Sequence, residues 1–184
     1  LVVCNDELTT IDFTTSNTGG TTTYVWSNTG GVDIGLGSSG ETVTDSSSDI
    51  SFTASNSSSV AISTQITVTP TFTNNGVSCT GTSQTFTITV NPEPDINNVT
   101  ETICNEGTFT TVLPSDGTNG DVVPTGTTYT WGNPVSSPSG VVTGGQSGTS
   151  QTSIVGTQLF NGTSSPATLT YTVTPTSADG CEGD

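Results

Sequence analysis

Four cysteines are the side chains of this sequence best suited to covalent or metal chemistry, and they fall into two similar pairs. Cys79 follows Cys4 by 75 residues, and Cys181 follows Cys104 by 77 residues. A zinc ribbon needs closely spaced C-x-x-C pairs, which the sequence lacks. The spacing predicts the disulfides Cys4–Cys79 and Cys104–Cys181, with free structural thiols as the alternative. Closing a loop of ~75 residues stabilises a domain by roughly 4 kcal/mol in the chain-entropy model, and such bonds indicate an oxidising compartment.

The charged side chains exclude several classes of function. The chain of 184 residues has 16 Asp plus Glu and no Lys, Arg or His. Without basic side chains it cannot clamp phosphates, neutralise a nucleic-acid backbone or be attracted to an anionic membrane. A histidine-based triad, an activated lysine and a histidine-ligated zinc site are excluded for the same reason. A carboxylate pair of the kind that glycosidases use remains, but we expect no enzyme activity and no nucleic-acid partner.

Three carboxylates lie at or near a proline-containing segment in the middle of the chain: Glu93, Asp95 and Glu106. Oxygen ligands at a joint between domains can bind Ca²⁺ and stiffen the joint. The sequence has no D-x-[DN]-x-[DN]-G loop, and acids that solubilise the surface are the other interpretation. This Ca²⁺ site is the one cofactor hypothesis that the sequence offers.

Trp26 and Trp131 occupy the same position in two similar segments, Tyr24-Val25-Trp26 and Tyr129-Thr130-Trp131. One interpretation is a platform on which a sugar ring stacks. The other is a core tryptophan that packs across a β-sandwich. Because the position recurs in both segments, the sequence favours the core.

Asn-x-Ser/Thr sequons, which mark acceptors for N-glycosylation on the loops of secreted proteins, occur at Asn56, Asn98 and Asn161. Sequons are also frequent by chance in a chain so rich in Ser and Thr. They are weak evidence for a modified surface.

The elements that position these residues are predicted to be strands. β-branched residues, which fit pleated surfaces, and Gly, Asn and Asp, which supply turns, dominate the sequence. No stretch keeps helical apolar spacing for three turns, and no run approaches the roughly 18 apolar residues of a membrane span. The clearest alternation, Thr85–Val90, indicates a strand with one face towards solvent. The predicted strands are Leu8–Thr14, Thr22–Ser27, Val32–Leu36, Ile50–Ala54, Ile62–Phe72 and Gln84–Val90, followed by Thr108–Leu113, Thr127–Trp131, Gly140–Thr143, Thr152–Val155 and Ala167–Thr176.

The sequence repeats itself at an offset of 100 to 105 residues. A unit of about 100 residues suits a seven-stranded sandwich, so we predict an all-β chain of two tandem immunoglobulin-like domains, residues 1–92 and 93–184. The connector Asn91-Pro92-Glu93-Pro94-Asp95 is predicted to be short and stiff. The landmarks of the repeat are Cys4-Asn5-Asp6-Glu7 with Cys104-Asn105-Glu106-Gly107, Ile66-Thr67-Val68-Thr69-Pro70 with Tyr171-Thr172-Val173-Thr174-Pro175, and Gly76-Val77-Ser78-Cys79-Thr80-Gly81 with Gly180-Cys181-Glu182-Gly183.

The second repeat has no counterpart of the strand Thr85–Val90 in the sequence given. A sandwich without that strand exposes unpaired neighbours. We expect the gap to be filled by continuation of the polypeptide, with a strand from another chain as the alternative.

Several motifs together resemble the PKD-like repeats of very large surface proteins of Bacteroidetes. They are Tyr129-Thr130-Trp131, the segment 156–163, Leu169-Thr170-Tyr171-Thr172-Val173-Thr174-Pro175, Gly180-Cys181-Glu182-Gly183 and the linker Val90-Asn91-Pro92-Glu93-Pro94. The resemblance implies an immunoglobulin-like fold, secretion to the cell surface, and service as a stalk in adhesins or gliding-motility filaments. It implies no catalytic residues.

The function expected from the sequence is therefore a structural spacer of an extracellular adhesin or surface filament. Its partners would be neighbouring repeats and other copies in a filament, with no membrane insertion. A carbohydrate- or protein-binding module using the loops Gly35–Glu41 or Gly144–Ser150 is the first alternative. An accessory domain of a secreted hydrolase is the second.

Overall fold

A computed structural model describes residues 1–43 and 50–183 of the chain. These residues form strands, turns and bends, and they divide into two compact units, Leu1–Pro92 and Glu93–Asp184. Each unit has a hydrophobic core of its own. The predicted fold class, all-β with two tandem immunoglobulin-like sandwiches, is confirmed. Within the described ranges, no helix is long and apolar enough to cross a lipid bilayer.

The described residues of unit 1 form eight strands in two sheets. The main sheet has the order β1-β8-β6-β3-β4, with β7 also paired to β6, and the second sheet is the pair β2-β5. The pairing of β1 with β8 is parallel, and the other pairings are antiparallel. The strands are β1 Val2–Cys4, β2 Leu8–Ile11, β3 Thr21–Asn28, β4 Ser39–Val43, β5 Ile50–Thr53, β6 Ile62–Asn74, β7 Val77–Thr80 and β8 Gln84–Asn91.

The core of unit 1 follows from alternation along these strands. On β8, Ile88 and Val90 are fully buried while Thr87 is exposed. On β6, Ile66 and Val68 are likewise buried. Burying each such side chain contributes roughly 1.5–3 kcal/mol, so the pattern of period two fixes which face of the sheet turns inward.

One predicted strand of unit 1, Val32–Leu36, is wrong. The segment is a loop in which Gly35 has φ of 86°, and it is flanked by Gly31 and Gly37 with φ of 74° and 83°. Glycine adopts this left-handed conformation without steric cost, whereas a strand does not contain it. Ile34 is nevertheless fully buried, and its burial explains why the segment reads as a strand.

Unit 2 contains the same plan in shorter pieces. Its largest sheet has the order β12-β9-β15, and β10-β14 and β11-β13 are separate pairs. Its buried core consists of Tyr129, Trp131 and Ile154, with half-buried apolar residues around them. The strands are β9 Thr128–Trp131, β10 Val135–Ser137, β11 Val142–Thr143, β12 Gly148–Gln151, β13 Phe160–Asn161, β14 Thr168–Thr170 and β15 Val173–Thr176.

The strand predicted over Ala167–Thr176 is interrupted at residues 171–172. The corresponding strand of unit 1, β6, is continuous because β8 pairs with it from Ile62 to Val68. The predicted strands Thr108–Leu113 and Thr152–Val155 are likewise reduced to isolated bridges. Fewer ladder partners leave unit 2 with shorter strands and a smaller core.

The end of each unit nevertheless repeats closely. In unit 1 the Gly81 amide donates to the Pro70 carbonyl at 2.9 Å, and in unit 2 the Gly183 amide donates to the Pro175 carbonyl at 2.9 Å. The bridge between Thr176 and Glu182 corresponds to the pairing of β6 with β7. The segment 180–183 is therefore the shortened counterpart of β7.

Candidate functional site

The cysteines do not pair as the spacing suggested. Cys4 and Cys181 are disulfide-bonded, whereas Cys79 and Cys104 are free and exposed. Neither Cys4–Cys79 nor Cys104–Cys181 is present, so the predicted pairing is wrong.

The register of the main sheet explains the error in unit 1. Cys4 lies opposite Asn91, one residue beyond the row in which Val90 pairs with Ile62. Cys79 lies opposite Phe72, at the other end of the long strand β6. Ten residues of strand span roughly 33 Å, and a disulfide requires Cα atoms within about 7 Å.

We expect two thiols per chain to react with a maleimide in the absence of reductant. Because Cys79 and Cys104 are exposed, both should react in the folded protein, and denaturation should reveal no further thiols. Peptide mapping of the labelled chain checks the assignment, with a protease that does not need Lys or Arg because the chain has neither. Maleimide label on Cys4 or Cys181 before reduction would contradict the finding that these two cysteines are disulfide-bonded.

Both tryptophans lie in the cores and not on the surface. Trp26 is 8% exposed and Trp131 is 7% exposed. A glycine of the neighbouring strand lies directly opposite each ring, Gly40 beside Trp26 and Gly148 beside Trp131. A Cβ atom added at Gly40 would lie 2.7 Å from the Trp26 ring, and one at Gly148 would lie 2.4 Å from the Trp131 ring. Both rings are too deeply buried to form a surface platform for a sugar.

Replacing Gly148 by alanine should therefore lower the free energy of unfolding of unit 2 by about 1–3 kcal/mol, the usual cost of overpacking a core. Gly132 provides the matched control, because it lies next to Trp131 in sequence and a Cβ there would meet nothing within 4 Å. Gly132→Ala should leave stability within about 0.5 kcal/mol of the parent. Urea denaturation measures both, and equal midpoints for the two variants would contradict the packing argument.

The three acidic residues considered as Ca²⁺ ligands are not brought together. Across residues 1–43 and 50–183, no group of three Asp, Glu, Cys or His side chains could hold a metal ion, so the Glu93–Asp95–Glu106 site is wrong. Asp95 exchanges backbone hydrogen bonds with Val122, whereas the Glu106 amide bonds to the Leu159 carbonyl. Glu106 has φ of 65° and forms a tight turn, as Asp6 does in unit 1 with φ of 57°.

An asparagine side chain closes the same loop in each unit, a feature that our sequence analysis missed. The backbone N–H of Asn56 donates to Asn5 Oδ1 at 2.7 Å, and the backbone N–H of Asn161 donates to Asn105 Oδ1 at 2.7 Å. Asn56 Nδ2 donates to the Val60 carbonyl, as Asn161 Nδ2 does to the carbonyl four residues later. The sequons at Asn56 and Asn161 therefore serve this asparagine clamp, and the Asn98 sequon lies on an exposed segment.

The pKa of the Tyr129 phenol is clearly displaced from its ordinary value. Burial raises the pKa of its phenol above the ordinary value of 10.0, and the carboxylate of Asp121 raises it further. The Asp121 side chain is itself buried and accepts a hydrogen bond from the Asn97 amide at 2.9 Å.

This shift predicts an alkaline loss of stability in unit 2. The folded phenol holds its proton more tightly than the unfolded one. The contribution of the protonated Tyr129 to the stability of unit 2 is therefore complete below pH 10, and it declines as pH rises from 10 through the folded-state pKa. Denaturation midpoints at pH 9 and pH 11 should show a smaller decline for Tyr129→Phe than for the parent. An equal decline would mean that Tyr129 does not contribute.

Two surface grooves are the remaining candidates for a binding site. In unit 1 a groove of about 770 Å³ is lined by the rings of Phe13, Tyr24, Phe72 and Phe86. In unit 2 a groove of about 360 Å³ lies beside Trp131 and is lined by residues 146–149 of the predicted binding loop Gly144–Ser150. The loop Gly35–Glu41 lines neither groove.

Comparison with known proteins decides the family. A family model for the PKD-like domain matches residues 2–94 and 101–184. The chain belongs to the PKD-like domain family. PKD-like domains are generally structural modules with an immunoglobulin-like fold, and they are typically extracellular and non-catalytic. No curated protein and no solved structure matches the chain.

Proposed function

We propose that these two PKD-like domains are spacer repeats of an extracellular adhesin or cell-surface filament. The observation that carries the proposal is the repetition of one family domain, with a separate hydrophobic core in each copy. A module that folds on its own core can be added in series without disturbing its neighbours. The length of the array then sets how far the protein reaches.

The connector between the domains supports a role in reach. The last strand of the first domain ends at Asn91, and the second domain makes its first backbone pairing at Asp95. Two of the three residues between them, Pro92 and Pro94, are prolines. Proline fixes φ and favours an extended chain, which suits a spacer better than a flexible tether.

The covalent chemistry and the charge support an extracellular location. Disulfide-bonded cysteines such as Cys4 and Cys181 persist in oxidising compartments. A net charge of −16 keeps a long array soluble and discourages self-association through opposite charges. Stable disulfides outside the cell and solubility of a long array both suit a surface stalk of the kind found in Bacteroidetes, including gliding-motility filaments.

Replacement of both domains in the producing cell tests the proposal. The segment would be exchanged for two unrelated immunoglobulin-like domains of equal length, and in a second strain it would be deleted. A spacer predicts that the exchange preserves surface display and adhesion and that deletion weakens adhesion. Adhesion that is lost after the exchange, while display is retained, would overturn the spacer and favour a binding module.

A binding module is the second candidate because the groove of the first domain is rich in aromatic rings. Phe13 packs against Tyr24 with ring centroids 4.9 Å apart and against Phe86 at 6.4 Å. Aromatic faces in an open groove suit a sugar ring or an apolar peptide. A glycan array probed with the parent and with Phe13→Ala would support this candidate if a signal appears and depends on Phe13.

A further inference from the structure

The groove of the first domain lies where separate parts of the chain bring aromatic rings together. Phe13 follows strand β2, Phe72 lies on β6, and Phe86 lies near the start of β8. These three rings are half-buried, whereas the core ring of Trp26 is 8% exposed. We call this groove, of about 770 Å³, the aromatic groove. Ligand sites usually measure roughly 300–1,000 Å³, so the aromatic groove has room for a side chain and for part of the backbone that carries it.

The charge around the aromatic groove indicates the sign of its ligand. Asp12 is exposed, and it is the one charged side chain among the described residues that line the groove. The hydroxyl and amide groups of Thr14, Asn17 and Gln84 lie in the same lining. The whole chain has a net charge of −16, and a negative field attracts cations and repels anions. The groove therefore favours a cationic ligand over a neutral one.

This cation must come from another kind of molecule. The chain has no Lys, Arg or His, so neither its own side chains nor those of a second copy can supply the positive charge. Aromatic rings attract a cation that lies over the ring face, and in proteins this cation is more often a guanidinium than an ammonium. The partner is therefore a different, basic molecule.

Among biological cations, arginine matches both parts of the lining. Its guanidinium is flat, so it stacks on an aromatic face, and its N–H groups lie in the plane where they can donate to a carboxylate. A lysine ammonium has no flat face to stack. A quaternary ammonium ion has no N–H group, so it would leave the Asp12 carboxylate and the neighbouring amide oxygens without a donor.

We propose that the aromatic groove binds an arginine side chain on a basic segment of a partner protein. The guanidinium stacks on the half-buried rings and pairs with Asp12, and the flanking backbone of the partner contacts the uncharged polar groups of the lining. This assignment rests on the groove being a binding site, which is the second candidate function, and it is independent of the spacer role.

A thiol-reactive peptide tests the proposal on the full chain. Cys79 is exposed and lines the groove, whereas Cys104 is an exposed thiol of the second domain, so the two provide signal and internal control. The probe is the peptide Gly-Ser-Arg-Ser-Gly with a chloroacetyl group, from which a cysteine thiolate displaces chloride. The matched probe carries citrulline, the neutral isostere of arginine. The ratio of Cys79 to Cys104 alkylation should be about tenfold higher with the arginine probe, because binding raises the effective concentration of the reactive group.

Two variants separate the groove from the field of the whole chain. Asp12→Asn and Glu41→Gln each remove one exposed carboxylate from the first domain, and Glu41 lies on β4 outside the groove. Asp12→Asn should lower the preference for Cys79 by about twofold to fivefold, the effect of removing one exposed ion pair. Glu41→Gln should leave the preference unchanged. Equal effects of the two substitutions would show that the peptide responds only to net charge, and they would overturn the proposal.

The remaining outcomes are equally decisive. Equal alkylation ratios with the arginine and citrulline probes would overturn the proposal, and so would a lysine probe that performs as well as the arginine probe. A glycan-array signal that depends on Phe13, without any preference for the arginine probe, would also overturn it and would leave the groove as a sugar-binding site. Loss of adhesion after the domain exchange tests the spacer role separately, because it does not depend on alkylation of Cys79.

Discussion

Replacing Trp26 by alanine should lower the free energy of unfolding of the first domain by about 3–5 kcal/mol, the usual cost of deleting a buried large aromatic side chain. Trp26 lies between Val68 on β6 and Gly40 on β4. The glycine lets the two backbones approach the ring closely, so the cavity left by alanine has no larger neighbour to fill it. A typical domain has a net stability of only about 5–15 kcal/mol, so the expected loss is a large fraction of the stability of the first domain.

The design separates the two domains, because each contains one tryptophan. In Trp26→Ala, Trp131 fluorescence reports the second domain alone, and far-UV circular dichroism reports both. Val25 gives the matched control, since it is the neighbouring residue on β3 and is 49% exposed. Val25→Ala should change the stability by less than about 1 kcal/mol. A loss for Trp26→Ala no larger than for Val25→Ala would show that the ring does not organise the core.

Local patterns were sufficient to predict the strands that carry the core. Alternation along Gln84–Val90 predicted β8 to within one residue, and the recurrence of Tyr24-Val25-Trp26 at Tyr129 predicted β3 and β9. These segments combine β-branched or aromatic residues with period-two burial, and both signals are local in sequence. A pattern of this kind is weaker where a loop buries one apolar side chain, as Ile34 shows.

The cysteine pairing could not be predicted because it depends on register. Similar spacings of 75 and 77 residues suggested equivalent disulfides, but the spacing along the chain does not determine which end of a long strand each cysteine reaches. The position of Cys79 follows from the Asn75-Gly76 turn, where both residues have positive φ and start the return strand β7. An Asn-Gly pair is a hairpin signal, and using it would have placed Cys79 on an edge strand far from Cys4.

The asparagine clamp and the glycines beside the tryptophans were missed for different reasons. Gly40 and Gly148 are significant only because a ring lies opposite them, and that requires the pairing of distant strands. Asn5 and Asn105, and Asn56 and Asn161, do recur at the offset of the repeat. Polar residues that recur in a repeat together with its apolar residues indicate a loop structure that the two copies share.

Replacing Asn56 by alanine should destabilise the first domain by about 3 kcal/mol, since buried partners that lose their hydrogen bonds each cost about 1–3 kcal/mol. Asn56 is 4% exposed. Its Nδ2 bonds the Val60 and Val90 carbonyls, and its Oδ1 accepts from the Ser58 amide and hydroxyl. Alanine would remove this donor from the Val90 carbonyl at a buried position, whereas the Val60 carbonyl keeps the Ser58 hydroxyl as a donor.

Asn161→Ala is the matched comparison, because it removes the corresponding bonds to Thr163 and Ser165, which are exposed to solvent. Water can replace these bonds, so the second domain should lose only about 1 kcal/mol. Separate urea denaturation of the two variants measures the difference, with Trp26 and Trp131 as the reporters of their own domains. Similar losses at both sites would mean that the bond from Asn56 to Val90 adds little, and that the clamp stabilises the loop alone and not the attachment of β8.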